Sequence, residues 1–422
     1  MLTRLRQTYL GIFREYPFLF PFAVVTFAGQ AAFALVNIYA LPVYLVQDLR
    51  LSGLTLGAAS ATFLCAETLL KFPMGRWSDR AGRKGFVVLG PLLICLNPTF
   101  FAALPTRLWF LVFPLRVVDG AGAAALWPPL FAAVGDLVPD RSRAAAMSVL
   151  NTVYAAAIGG AIVCGALIAH LTGNDRAPFL LASGCLVVTA AVAHASLPRL
   201  PGTRLPAATV GPASGADCPA ASGSPHVAAG VRLLALTFTV SMVMSAGVLV
   251  LSNFLVLYLK MDMGLSAGGI VALLGALGVA VLALGLPLGH LADRWGTSHA
   301  VRLSLTVASL AMWLIPSCRT MASFAPVAVI LVLGHIMGTS AWVAVVSQLA
   351  PAARRGGAMG LVATGEGIGA VVGPLLGGFL WDKAHHWVFY GSACLLTLAA
   401  ALTLAALPRS RPVGPAAKVT SP

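Results

Sequence analysis

Glu67 and Lys71 stand four residues apart, Arg116 and Asp119 three apart, and Glu366 lies between Gly365 and Gly367. Each sits inside a long apolar run, and that setting decides what chemistry these types allow. A charge near the middle of a bilayer costs roughly 3 kcal/mol or more unless it is paired or hydrated. Spacings of three and four put two side chains on one helix face. Glu67 with Lys71, and Arg116 with Asp119, are therefore either local ion pairs or members of a polar cavity. Glu366 has no basic residue within a helical turn or two on its own run, so it is the first candidate for binding and releasing a proton. Gln30, Asn37, Asn151, Asn253, His335 and Gln348 are isolated polar groups in or near apolar runs. They either line a path or bond neighbouring helices together.

The elements that must hold these groups follow from composition. The chain has 422 residues, 59% hydrophobic and only 9% charged, with a mean hydropathy of +0.90. Soluble domains carry about 25% charged residues, so a soluble enzyme is excluded. Apolar stretches of about 20 residues recur, each able to cross the hydrocarbon as a helix. The continuous runs also exclude a membrane β-barrel, whose strands alternate. Charged or Pro/Gly-rich breaks give twelve expected spans, near 17–46, 52–74, 86–105, 108–135, 144–171, 177–197, 231–259, 266–291, 300–318, 322–349, 357–381 and 387–407. The first is expected to be a retained span and not a cleaved leader.

Most of the 27 Lys and Arg residues fall in alternate breaks, among them Arg76, Arg80, Arg83, Lys84, Arg141, Arg199, Arg294 and Arg354, whereas Arg50, Arg107, Arg176, Lys260, Arg319 and Lys383 lie in the others. The positive-inside rule then puts both termini in the cytoplasm. The net charge of +14 is thus read as topology, with no nucleic-acid partner expected. Residues 198–230 are a Pro/Gly/Ala/Ser stretch without apolar period and read as a linker. The expected organisation is a six-helix bundle at 1–197, a cytoplasmic linker at 198–230, a second six-helix bundle at 231–408 and a cytoplasmic tail at 409–422. The halves also repeat: GRWSDRAG at 75–82 returns as GHLADRWG at 289–296, and PDRSRAAAM at 139–147 as PAARRGGAM at 351–359. Parallel six-helix repeats are a known transporter plan.

The segment Gly75-Arg76-Trp77-Ser78-Asp79-Arg80-Ala81-Gly82-Arg83-Lys84 resembles the loop signature G-x-L-x-D-R-x-G-R-K of the major facilitator superfamily, with Trp77 in place of Leu. Arg116 to Gly122 is similar to that family's R-x-x-x-G-x-G element. The resemblance implies an all-α polytopic membrane protein of twelve helices in two pseudo-repeated six-helix bundles, with alternating access around a central cavity. It also implies a conformational latch made of Gly75, Asp79, Arg80, Gly82, Arg83 and Lys84, with Asp136, Asp293 and Arg294, and a proton-transfer or substrate role for Arg116. Span eleven carries Gly365, Gly369, Gly373 and Gly377 at four-residue spacing, with Pro374 and Gly378. Such a ridge lets another backbone approach closely. Residues 369–378 also resemble the antiporter element G-x-x-x-G-P-x-x-G-G, displaced here to the other half.

Other chemistry is excluded by sequence. Gly120 to Ala125 superficially fits a dinucleotide fingerprint but follows no strand, and Walker A and H-E-x-x-H patterns do not occur. The seven cysteines show no C-x-x-C or metal spacing. No catalysis, cofactor or metal is expected. The expectation is proton-coupled efflux of a small organic solute by a monomer in the plasma (inner) membrane, in contact with lipid. The alternative is a uniporter or proton symporter for uptake. A different class, a receptor or assembly protein on the same scaffold, is disfavoured by the loop signature and the intramembrane charges.

Overall fold

The computed structural model describes residues 12–198, 225–266, 268–278, 296–349 and 355–406. Among these residues there are helices and no strands, and eleven helices are long and apolar enough to cross a membrane. In chain order, the spans are α1 (Leu19–Asp48), α2 (Gly53–Ala81), α3 (Arg83–Ala103), α4 (Thr106–Leu137), α5 (Asp140–Thr172) and α6 (Ala177–Ser196). Next comes α7, which runs as Pro225–Ser252, turns at Asn253 and Phe254 and resumes as Leu255–Met261. Then follow α8 (Gly268–Gly278), α9 (Thr297–Ser317), α10 (Met321–Leu349), α11 (Arg355–Lys383) and α12 (Trp387–Ala406). The span expected at 266–291 is described only as α8, because residues 279–295 lie outside the described set. Asp293 and Arg294 lie outside it too.

Local chemistry explains the breaks. Ser52 accepts the Thr55 N–H at 3.1 Å and so caps α2. Pro42 removes a backbone donor from α1, and the turns on either side of it, Leu35–Ala40 and Tyr44–Asp48, widen to π-helix. Gly82 ends α2 at φ 97°, a left-handed conformation open to glycine.

The repeat seen in sequence extends to the backbone. Gly296, 214 residues after Gly82, enters α9 at φ 88°. Arg50 has φ 52°, and Gly264, at the same offset, has φ 61°. Leu49 and Leu51 donate to the carbonyls of Tyr44 and Leu45, and Met263 and Leu265 donate to those of Tyr258 and Leu259. Ser266 accepts the Gly269 N–H as Ser52 accepts that of Thr55. The same loop has been built twice.

By contacts the chain divides into two compact units. The first holds residues 1–220 with 253–274, the second 221–252 with 275–422. The first is centred on Leu19, Phe22, Val25, Phe63, Leu126, Trp127 and Leu130. There α4 lies very close to two neighbours: a Cβ on Gly120 would stand 2.6 Å from the Phe63 carbonyl oxygen, and one on Gly122 2.8 Å from that of Gly90. The second is centred on Val240, Val243, Val301, Leu305, Trp342 and Val346. Large apolar side chains such as Leu69, Phe72 and Leu171 stay more than two-thirds exposed, as expected of a surface that lipid covers.

Candidate functional site

In the first unit the intramembrane charges form a closed network. The close α2–α4 contact at Gly120 brings Arg116 under α2, where its side chain is 1% exposed. Its guanidinium donates to Asp119 Oδ2 at 3.0 Å, to the Ala59 carbonyl at 3.3 Å and to Asn37 Oδ1. It also lies 4.3 Å from the centroid of the Phe63 ring. The other oxygen of Asp119 accepts from Asn97 at 2.8 Å. Asn97 and Asn37 further donate to the carbonyls of Leu115 and Phe33. One ion pair therefore joins α1, α2, α3 and α4, with each guanidinium nitrogen engaged, which suits a structural tie better than a site that exchanges ligands.

Glu67 and Lys71 pair at 2.9 Å along α2, the carboxylate mostly covered and the ammonium about half exposed. The same unit holds an aromatic cluster in which Trp127 lies 5.3 Å from Tyr154, 6.0 Å from Phe33 and 6.1 Å from Phe131 between ring centroids.

The loop signature is a compact charge cluster inside the first unit. The Arg83 guanidinium reaches Asp79 at 3.3 Å and Asp136 at 3.1 Å, bridging the end of α2 to the end of α4. Lys84 donates to the Leu197 carbonyl at 2.7 Å, which ties α3 to the residue after α6. Ser78 donates to the Gly75 carbonyl.

In the second unit the glycine ridge sets the direction of Glu366. Side chains added at Gly365 and Gly373 would meet the carbonyl oxygens of Phe238 and Ala246 at 2.6 and 2.8 Å, and one at Gly369 would meet the Met242 oxygen more closely still. α11 thus lies backbone to backbone on α7, and Ser245 donates to the Glu366 carbonyl at 2.8 Å. Glu366, one residue round from the ridge, faces a cavity of about 290 Å³. Ser241, Met244, Ser245, Val248 and Leu249 of α7, with His335 and Trp342 of α10, form the rest of its wall. Trp342 is fixed by its indole N–H on Ser241 Oγ at 2.9 Å. The lining is mainly apolar with a few polar groups, the usual character of a small-molecule site.

The structure thus separates the sequence candidates: Arg116, Asp119 and Asn37 are bound to one another, while Glu366 and His335 share a cavity wall. Ser241, Met244, Val248 and Trp342 were not singled out by sequence. A period of four along α7 (Ser241, Ser245, Leu249) was the available sign, and many apolar spans carry it. Among the described residues no group of three or more His, Cys, Asp or Glu could hold a metal.

Comparison with known proteins agrees with this architecture. Multidrug resistance protein 1 of Bacillus subtilis (strain 168) is 24% identical over 364 residues, covering 86% of this chain and 89% of that protein. The gentisate transporter of Corynebacterium glutamicum is 28% identical over 393 residues, covering 86% and 82%. A solved structure of a bacterial homologue of the human lysosomal transporter Spinster, inward-facing and unoccupied, matches with a TM-score of 0.74 at 14% identity. It covers 93% of this chain and 96% of that one, a likeness of fold. The sequence profile of the Major Facilitator Superfamily matches residues 22–352 and 237–421. With its loop signature, repeated halves and membrane-spanning helices, the chain is a multi-pass membrane transporter and belongs to the Major Facilitator Superfamily.

Proposed function

We propose that the chain exports a small amphiphilic organic solute in exchange for protons, by alternating access of its two six-helix halves. The carrying observation is Glu366 on the wall of a cavity otherwise built from Met244, Val248, Leu249 and Trp342 with two serines and His335. A carboxyl in so apolar a recess changes its protonation state when its surroundings change, and alternation between two sides of a membrane supplies such a change. The apolar walls suit a solute with little hydrogen-bonding demand, in keeping with the names of the relatives that are multidrug resistance proteins. In this reading the Asp79–Arg83–Asp136 cluster is the latch of the cytoplasmic side. Both termini are cytoplasmic, the membrane is the plasma (inner) membrane, and the protein works as a monomer.

The test is reconstitution in liposomes with an imposed pH gradient and a panel of cationic drugs, organic acids, sugars and lipids. Gradient-driven efflux of an amphiphile is the expected result. Glu366→Gln abolishes driven flux and leaves solute counterflow measurable. Unchanged driven flux in that variant removes Glu366 from the coupling, and solute uptake with the proton gradient replaces export by symport.

A further inference from the structure

The seventh span belongs to both units. Its first part, to Ser252, packs in the second unit, and everything from Asn253 to Leu274 packs in the first. The division falls where the helix is broken at Asn253 and Phe254. The segment Leu255–Met261 is held in the first unit by a specific polar contact: the Lys260 ammonium donates to both carboxylate oxygens of Asp175 at 2.9 Å. Asp175 is a fixed anchor, because its neighbour Arg176 is pinned three ways. Arg176 pairs with Asp48 at 3.1 Å, donates to the Ala102 carbonyl at 3.2 Å and lies 5.0 Å from the centroid of the Tyr44 ring. Lys260 also stands 5.8 Å from the centroid of Tyr39.

Tyr39 carries a cost. It is fully buried, and among the described residues its hydroxyl has no hydrogen-bond partner. A polar group left unsatisfied away from water disfavours the arrangement that buries it. Two opposed terms therefore meet at one place: an ion pair that holds the end of α7 down, and an orphaned hydroxyl that gains a partner when that end lifts and water enters. We propose that Lys260 and Asp175 form a releasable clamp on the end segment of α7, with Asn253 and Phe254 as its hinge and the Tyr39 hydroxyl as the group that favours release. This rests on the alternating-access reading above and assigns the gate on the side away from the termini. The balance of the two terms sets how often the segment opens.

The test uses the full-length chain with its native cysteines replaced, spin labels at the exposed positions 107 and 261 (Arg107 and Met261), and reconstitution in lipid nanodiscs without solute or gradient. Pulsed electron resonance reads the populations of short and long distances between labels. Short distances dominate in the parent. Asp175→Asn raises the long-distance fraction about tenfold, and the exchanged pair Asp175→Lys with Lys260→Asp restores the parent distribution. Tyr39→Phe, placed in the Asp175→Asn background, lowers the long fraction about threefold, because the orphaned hydroxyl is gone. An unchanged distribution in Asp175→Asn, no restoration by the exchanged pair, or a rise with Tyr39→Phe overturns the clamp. Loss of proton-driven export in the liposome assay, with these shifts intact, overturns the export reading alone.

Discussion

Replacing Gly365 by alanine tests whether the α7–α11 contact sets the cavity. The new Cβ would lie 2.6 Å from the Phe238 carbonyl oxygen, where ordinary contact begins near 3.4 Å. The helices must therefore part by about 0.8 Å, or deform locally, and the obstacle is backbone that no rotamer change can move. Overpacking of this kind costs about 1–3 kcal/mol. Gly360 on the same helix is the internal control, since a Cβ there meets nothing within 4 Å. Gly360→Ala is expected to stabilise by about 0.5–1 kcal/mol, because alanine loses less conformational entropy in a helix than glycine. The same chemical change thus has opposite signs at two positions five residues apart. The assay is thermal unfolding of purified protein in detergent, followed by driven flux in liposomes. Gly365→Ala lowers both, and displacement of Glu366 from Met244 and Trp342 reduces flux beyond what the loss of folded protein explains. Equal stabilities for the two variants would refute the argument that backbone contact, and not apolar composition, holds α11 in place.

Arg116→Ala leaves the Asp119 carboxylate buried without its cation and should cost about 3–5 kcal/mol. Arg116→Met combined with Asp119→Leu should cost less than Arg116→Ala alone. Additive losses measured by chemical unfolding would exclude a closed pair. Arg50→Gly should stabilise by about 0.5–1 kcal/mol by relieving a left-handed backbone, and Gly264→Ala at the equivalent position should destabilise by a similar amount. Thermal unfolding that ranks them the other way removes the strain argument. Asp79→Asn, at a half-exposed pair, should change stability by less than about 1 kcal/mol. It should nevertheless shift cysteine-accessibility labelling toward the inward-facing pattern, and an identical pattern rejects the latch.

The fold was legible because its signals are long: apolar runs and a repeated octapeptide. Even the left-handed turn at Gly82 and Gly296 is visible in the aligned motifs. The pairing of Arg116 with Asp119 was one of two readings that their spacing left open, since residues three apart share a helix face. The other partners of Arg116 and Asp119 could not be read. Asn37, Ala59 and Asn97 come from three other helices, and no spacing within one span records which side chain another span will present. The same holds for Glu366, whose type and setting made it a candidate while its neighbours on α7 and α10 depended on the glycine ridge fixing helix rotation. Lys260 was read as a charge on the sparsely basic side. Its attachment to Asp175, 85 residues away in sequence, follows from the break in α7, which Asn253 alone did not announce.

The pairing of Arg116 and Asp119 within one helix also bears on how the protein enters its membrane. An isolated Arg or Asp near the centre of a helix opposes insertion by about 2.5–3.5 kcal/mol each. Because the two lie one turn apart and bond at 3.0 Å, the fourth span reaches the lipid as a nearly neutral segment carrying its own counter-ion. The groups that take up the remaining guanidinium donors, Asn37 and the Ala59 carbonyl, sit on the first and second spans, which the ribosome has already delivered. Synthesis order and charge order agree, so the most expensive residue of the first half is never left alone in hydrocarbon.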